Sequence, residues 1–119
     1  MIKSEETKIQ NVRKAELNKI GYLDLENWLL EPNHVYVGRN LSFYVKGAIK
    51  SKWCNPYKVS KNIDLNTCLI MYEKHLIELL KNEQNLSEFL LLKGKILGCW
   101  CYPEPCHADI IIKKLEELS

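Results

Sequence analysis

The clearest hydrophobic pattern in the chain lies between residues 65 and 81, where apolar side chains recur every three or four positions. This period places them on one side of an α-helix, and Asp64, just before the pattern, is a typical N-cap residue. The pattern therefore predicts a helix over 65–81 with one buried face. That face is formed by Leu65, Cys68, Leu69, Tyr72, Leu76, Leu79 and Leu80.

Three short apolar segments predict β-strands. Residues 8–12 alternate weakly, with Ile9 as their main apolar side chain. Residues 35–37 combine β-branched and aromatic side chains and are followed by Gly38, which favours a turn. Residues 95–101 contain a continuous Ile-Leu pair, which is typical of a strand buried on both faces of a parallel sheet.

Three further segments predict helices. The first, residues 25–30, follows Asp24 as N-cap, and the second, residues 86–92, stops at Gly94, a common residue just past a helix end. The last helix has Pro105 in its first turn, where the missing N–H group costs no hydrogen bond. Its buried stripe is predicted to contain Ile110, Ile111, Leu115 and Leu118.

The order strand, helices, strand, helix is that of an α/β fold. We expect one small Rossmann-like domain over residues 1–119, with a mainly parallel sheet, helices on both faces and ligands at the carboxyl ends of the strands. Residues 40–63 mix glycine, proline and polar residues with short apolar pairs, and so predict a loop or a hairpin.

Two properties of the sequence bear on location. No apolar run approaches the ~18 residues that span a membrane, and the first residues lack the apolar stretch of a signal peptide. The five cysteines are an odd number, which argues against an exported disulfide scaffold. These observations predict a cytoplasmic protein with no membrane partner.

The net charge is only +2, but the basic residues are unevenly spread. Residues 34–63 contain six basic side chains and no aspartate or glutamate, which favours an anionic partner such as phosphate or nucleic acid. A solvated lysine-rich loop would give the same composition. The six are Arg39, Lys46, Lys50, Lys52, Lys58 and Lys61.

A cysteine-rich turn between the last predicted strand and the last helix carries the most chemistry. Cys99 and Cys101, two positions apart on a strand, project from one face of the sheet. Cys106 and His107 fall in the first helical turn, beside unpaired N–H groups and the positive end of the helix dipole. This position predicts a lowered pKa for the Cys106 thiol and an anion-binding site.

Three interpretations of this turn remain open. Cys99, Cys101, Cys106 and His107 match the ligand count of a structural zinc site, although the Cys-x-Cys spacing is not the usual one. Alternatively, Cys106 or His107 performs chemistry or binds substrate, with Asp109 nearby. In the third interpretation, the cysteines are small buried hydrophobic residues.

The segment Gly98-Cys99-Trp100-Cys101-x-Pro103-Glu104-Pro105-Cys106-His107-x-Asp109 resembles the family of the domain of unknown function 4326. Residues 11–14, 35–39 and 51–57 contain further blocks similar to that family, so the resemblance covers most of residues 9–118. It implies a source among bacteria, phages and large DNA viruses, with a host-cell cytoplasmic location in the viral case. By analogy it also implies a Rossmann-like domain related to nucleotides or nucleic acids.

The chain departs from that family pattern in two ways. Cys54 and Ala108 stand where the family often has glycine, which puts a tight turn at position 54 in doubt. Residues 15–33 and 40–50 look like insertions relative to the family.

Two functions therefore compete. In the first, a small α/β domain binds, and as an enzyme acts on, a nucleotide or nucleic-acid-linked anionic substrate, with catalytic groups from Cys106, His107 and Asp109. The second is a non-catalytic, zinc-stabilised module that binds nucleic acid. The ligand contacts predicted for the first are Arg39 and Lys52 on phosphate, Trp53 stacked on a base, and Asn55 on a base edge or the backbone. The ordinary alternatives are a core position for Trp53, a simple turn at Asn55 and a surface ion pair for Arg39.

Overall fold

The computed structural model describes residues 6–118 and contains a three-stranded sheet. The strands are β1 (Lys8–Asn11), β2 (His34–Tyr36) and β3 (Ile96–Cys99), in the order β1-β3-β2. Both neighbours run parallel to β3, so the predicted mainly parallel sheet is confirmed. All three predicted strands form, although β3 ends at Cys99 and not at residue 101.

Five helices accompany the sheet in the described part of the chain, and four of them were predicted. The helix Glu83–Leu90 (α4) begins three residues before the predicted start, because Asn82 caps it through the Asn85 N–H group. The short helix Lys14–Lys19 (α1) was not predicted. The bounds are α1 (Lys14–Lys19), α2 (Leu25–Trp28), α3 (Leu65–Leu79), α4 (Glu83–Leu90) and α5 (His107–Glu117).

The predicted N-caps of α2 and α3 are confirmed, whereas the predicted start of α5 is wrong. Asp64 accepts the Thr67 N–H group at 2.8 Å, as expected for an N-cap. At α5 the N-cap is Cys106, so Pro105 precedes the helix and His107 is its first residue. The predicted stripe also extends too far, because Leu118 is 44% exposed.

One face of the sheet is covered by α3 and α5, and we call it the α3/α5 face. Leu97 and Cys99 of β3 point to it, as does Val37, which directly follows β2. They pack against side chains of the two helices that include Tyr72 and Ile111, all of which are buried. This cluster is the larger of the two cores.

The opposite face is covered by α1, α2 and the turn at residues 41–48, and we call it the α1/α2 face. Its centre is Trp28, which is 1% exposed and lies directly over Gly98 of β3. A Cβ atom at Gly98 would lie 2.8 Å from both Trp28 and Val12, so only glycine permits this packing. The buried members are Val12, Leu17, Leu25, Trp28, Tyr36 and Ala48.

Residues 40–63 form a loop with one isolated antiparallel bridge, between Ser60 and Ile63, and the alternative of a regular hairpin is not seen. The segments predicted as insertions contain α1 and α2 in 15–33 and the turn of residues 41–48 in 40–50, and both contribute buried side chains to the α1/α2 face. No helix within residues 6–118 has the length and hydropathy required to cross a bilayer.

Candidate functional site

A cavity of about 360 Å³ opens where β2 and β3 end. One wall is Gly38-Arg39, which follows β2, and another is the cysteine-rich turn with the start of α5. Tyr57 and the first residues of α3 complete the lining. The structure therefore places Arg39, Cys106 and His107 around one cavity, at the edge of the sheet where ligands of α/β proteins bind.

The wall after β2 is positioned by Tyr36. Its hydroxyl donates to the Arg39 carbonyl at 2.6 Å and accepts the Trp100 indole N–H at 2.6 Å. To make these bonds, the Tyr36 ring folds back against Gly38, where a Cβ atom would lie 2.5 Å from the hydroxyl oxygen. A glycine at position 38 is thus required by the close approach of a neighbouring side chain.

The Arg39 guanidinium forms no ion pair with any residue between 6 and 118, and the side chain is exposed. Burial raises the pKa of the Cys101 thiol, and the positive charges of Arg39 and Arg13 oppose that rise. Arg13 donates from Nε to the Trp100 carbonyl at 3.2 Å. Two arginines therefore contribute positive potential at the turn that forms one wall of the cavity.

His107 is buried at the first position of α5 and is held as a neutral imidazole. Its Nε2 lies 2.5 Å from the Val37 carbonyl, which requires the ring to donate from Nε2. Burial lowers the pKa of His107, and the charge of Arg39 lowers it further, against the opposing effect of the Val37 bond. Nδ1 of the neutral ring then keeps its lone pair.

The thiols of Cys99 and Cys106 lie 3.5 Å apart and are both almost fully buried. The Cys106 S–H group donates to Cys99, and this bond, with the backbone N–H groups of Cys101 and Tyr102, lowers the pKa of Cys99. The same bond, together with burial, raises the pKa of Cys106. The expectation of an acidic Cys106 is therefore wrong, because burial and the hydrogen bond to Cys99 keep the proton on Cys106, whereas the accepting sulfur of Cys99 favours the thiolate.

Asp109 has a local role at the start of α5. Its Oδ2 accepts the Cys106 backbone N–H at 2.9 Å, so the carboxylate stabilises the first turn and does not line the cavity. The predicted zinc ligands do not assemble: within residues 6–118 no three histidine, cysteine or acidic side chains form a group able to hold a metal ion.

Two of the predicted ligand contacts lie away from the cavity. Lys52 forms an ion pair with Glu88 and donates to Asn85 at 2.9 Å. Trp53 is 5% exposed and packs edge to face against Phe89, with ring centroids 5.2 Å apart. The ordinary alternative for Trp53, a core position, is the one observed.

Asn55 does line the cavity, but its amide also organises the wall. Its Oδ1 accepts the Tyr57 N–H at 2.9 Å, and its Nδ2 donates weakly to Cys68 Sγ at 3.6 Å. Asn55 therefore organises the local backbone, as expected for a turn at Asn55-Pro56, and also lines the cavity.

Comparison with known proteins identifies the family. The family model described as Domain of unknown function (DUF4326) matches residues 23–117. The chain belongs to the DUF4326 family. The DUF4326 match includes both walls of the cavity, whereas β1 and the block at residues 11–14 precede it. No curated protein and no solved structure matches this chain.

Asn11 and Arg13 also contribute to this site, although the sequence pattern pointed to no function for either. Asn11 Nδ2 donates to the Tyr102 carbonyl at 2.6 Å, and Arg13 bonds the Trp100 carbonyl. Together they hold the cysteine-rich turn against the end of β1. The signal that could have found them is their position, since polar residues just after a parallel strand lie at the ligand-binding edge of the sheet.

Proposed function

We propose that this protein binds a nucleotide, free or as part of a nucleic acid, in the cavity between Arg39 and the start of α5. The observation that carries the proposal is the Arg39 guanidinium, which faces a concave site and has no ion pair within residues 6–118. A planar guanidinium binds phosphate through two parallel hydrogen bonds.

The positive character of the surrounding wall supports a phosphate. The start of α5 lines the same cavity as Arg39, and the amino end of a helix dipole attracts anions. Arg13 adds a second guanidinium near the turn. His107 is neutral and so adds no charge, but its Nδ1 can accept a hydrogen bond from a sugar hydroxyl or a base.

The size and lining of the cavity support the binding of a single nucleoside. A volume of about 360 Å³ lies near the lower end of small-molecule sites, which range from ~300 to ~1,000 Å³. Most of the lining is apolar, with Leu41, Val59 and Leu69 on the walls, and the Tyr57 and Trp100 rings add aromatic surface. Such a lining suits a base, whereas a longer oligomer would extend out of the cavity.

Binding of nucleoside monophosphates, measured by calorimetry at low salt, tests this function. Arg39→Ala should weaken binding about tenfold or more, because it removes charge-assisted hydrogen bonds to phosphate. Lys52→Ala is the matched control: it removes a cation of the same acid-free segment that is already paired with Glu88, and should change affinity less than about twofold. Absence of binding for every base, or equal losses in both variants, would refute the proposal.

A second candidate function, chemistry on the bound nucleotide, is favoured by Cys99. Cys99 lines the cavity, and its thiol is the one of the pair that favours the thiolate, the nucleophilic form. Because Cys99 is buried, substitution is the test: Cys99→Ala should abolish any conversion of the bound nucleotide, followed by chromatography of the nucleotide. Cys54→Ala is the matched control, because Cys54 does not line this cavity. Equal conversion by Cys99→Ala and wild type would exclude Cys99 from the chemistry.

A further inference from the structure

The turn formed by residues 41–48 is rigidly attached to the domain. The Leu41 N–H donates to the Ala48 carbonyl at 2.8 Å, and the Val45 N–H donates to the Leu41 carbonyl at 2.8 Å. Ala48 is fully buried, and Leu41 and Val45 pack on the α1/α2 face. Asn40 closes the start of the turn by accepting from the Ser42 N–H group and hydroxyl. The backbone is therefore held in one conformation.

This anchored turn directs two aromatic side chains into solvent. Phe43 is 91% exposed and Tyr44 is 83% exposed, and their rings meet edge to face with centroids 5.4 Å apart. An ordered turn that packs its aliphatic residues against the domain and exposes adjacent aromatic ones leaves a large apolar surface in water. Surfaces of this kind mark interaction sites.

The charge around the turn and its position beside the cavity indicate which kind of partner covers the two rings. Residues 34–63 contain six basic and no acidic side chains, and Lys46 and Lys50, within and just after the turn, are exposed. The turn is also continuous with the cavity, because Arg39 and Leu41 line it. A partner that combines flat apolar groups with negative charges, and that leads out of the cavity, satisfies both properties. Single-stranded nucleic acid has this chemistry.

We propose that Phe43 and Tyr44 stack on bases of a single-stranded nucleic acid, one nucleotide of which occupies the cavity while Lys46 and Lys50 contact neighbouring phosphates. This inference rests on the proposed nucleotide binding and deepens it, because it names single-stranded nucleic acid as the ligand and the two rings as its further contact. Stacking on aromatic side chains tolerates any base, so we expect affinity with little sequence preference and a strong dependence on salt.

The test compares two ligands: a nucleoside monophosphate measured by calorimetry, and a short fluorescein-labelled oligothymidylate measured by anisotropy at low salt. The double variant Phe43→Ala/Tyr44→Ala should weaken oligonucleotide binding by about tenfold or more and leave mononucleotide affinity unchanged. Arg39→Ala should weaken both. Leu91→Ala, which removes another exposed apolar side chain, is the matched control and should weaken neither.

The outcomes separate this inference from the function on which it rests. If mononucleotides bind and oligonucleotides bind no better, or if the double variant binds oligonucleotide like wild type, the inference fails and the proposed function stands. If neither ligand binds, both fail. The last experiment measures binding to vesicles that contain phosphatidylglycerol. If wild type binds these vesicles, the double variant does not, and neither protein binds oligonucleotide, then the turn is a membrane contact and the inference is overturned.

Discussion

The two faces of the sheet are built differently. The buried members of the α1/α2 face are hydrophobic residues, of which Tyr36 also carries a hydrogen-bonding hydroxyl, and the tightest contact of this face is the indole of Trp28 on the bare backbone of Gly98. The α3/α5 face is larger and contains the buried thiol pair Cys99–Cys106 and the buried imidazole of His107. The thiol pair and the imidazole thus lie on one side of a three-stranded sheet.

This difference separates stability from function. Each buried polar group of the α3/α5 face has a specific partner, as His107 has the Val37 carbonyl and Cys106 has Cys99. Such partners fix the geometry of a site but add less stability than the burial of large apolar side chains. We therefore expect substitutions on the α1/α2 face to act mainly on stability, and those on the α3/α5 face to act on pH dependence and ligand binding.

The largest effect is expected for Trp28→Ala. The indole is almost fully buried, and its removal should lower the free energy of unfolding by about 3–5 kcal/mol in urea denaturation. Leu30→Ala, two residues further on and 76% exposed, is the control and should stay within about 0.5 kcal/mol of wild type. A loss below about 1 kcal/mol for Trp28→Ala would show that the α1/α2 face is not a packed core.

Much of this fold could be predicted from the sequence, because the buried strands are short apolar segments and the cap of α3 is a local signal. The helix α1 could not, since Lys14–Lys19 is mostly polar and only Leu17 of it is buried. The packing of Trp28 on Gly98 could not be predicted from the sequence either, because the two residues are 70 positions apart. A contact of that kind leaves no periodicity in the sequence.

The second largest effect is expected for Gly98→Ala. The new methyl group would lie 2.8 Å from Trp28 and Val12, and overpacking of this type costs about 1–3 kcal/mol. In a Trp28→Phe background, Gly98→Ala should lower the free energy of unfolding by less, because the smaller ring leaves space for the methyl group. Part of the loss should remain, because the contact with Val12 is unchanged. A double-mutant cycle from urea denaturation measures the coupling, and strictly additive losses would contradict direct contact.

The site was predicted less completely than the fold. The general rule for strand ends brought Arg39, Cys106 and His107 together, and the cavity agrees with it. The assignment of Lys52 to phosphate rested on the basic composition of residues 34–63, which does not reveal its partner Glu88, 36 residues distant in sequence. The order of the two thiol pKa values likewise depends on one sulfur–sulfur contact, which the spacing of the cysteines does not reveal.

On the α3/α5 face, Asp109→Ala should have a smaller effect on stability, of about 1 kcal/mol. It removes the carboxylate that accepts the Cys106 N–H group at the start of α5. Asp109→Asn retains an acceptor oxygen and should lose less. Glu116→Ala, an exposed acidic residue of the same helix, serves as the control in thermal or urea unfolding. Equal losses for Ala and Asn would indicate that charge, and not the hydrogen bond, matters.

The smallest effect is expected in the pH dependence contributed by His107. Its pKa in the folded protein is lowered by burial, so below pH ~6.5 the unfolded chain takes up a proton that the folded imidazole refuses. Stability should therefore fall as the pH decreases from about 7 to about 5. His107→Gln retains a donor for the Val37 carbonyl but has no titrating group, so its free energy of unfolding should fall less over this interval.

Urea denaturation of both proteins across that pH range measures the difference. The remaining histidines are common to wild type and variant, and their contributions cancel in the comparison. The loss of the imidazole changes the absolute stability of His107→Gln, but the slope against pH does not depend on that offset. Parallel slopes would mean that the imidazole is protonated as readily in the folded chain as in the unfolded one, and below pH ~6.5 the cavity would then present a cation, not a neutral acceptor, to its ligand.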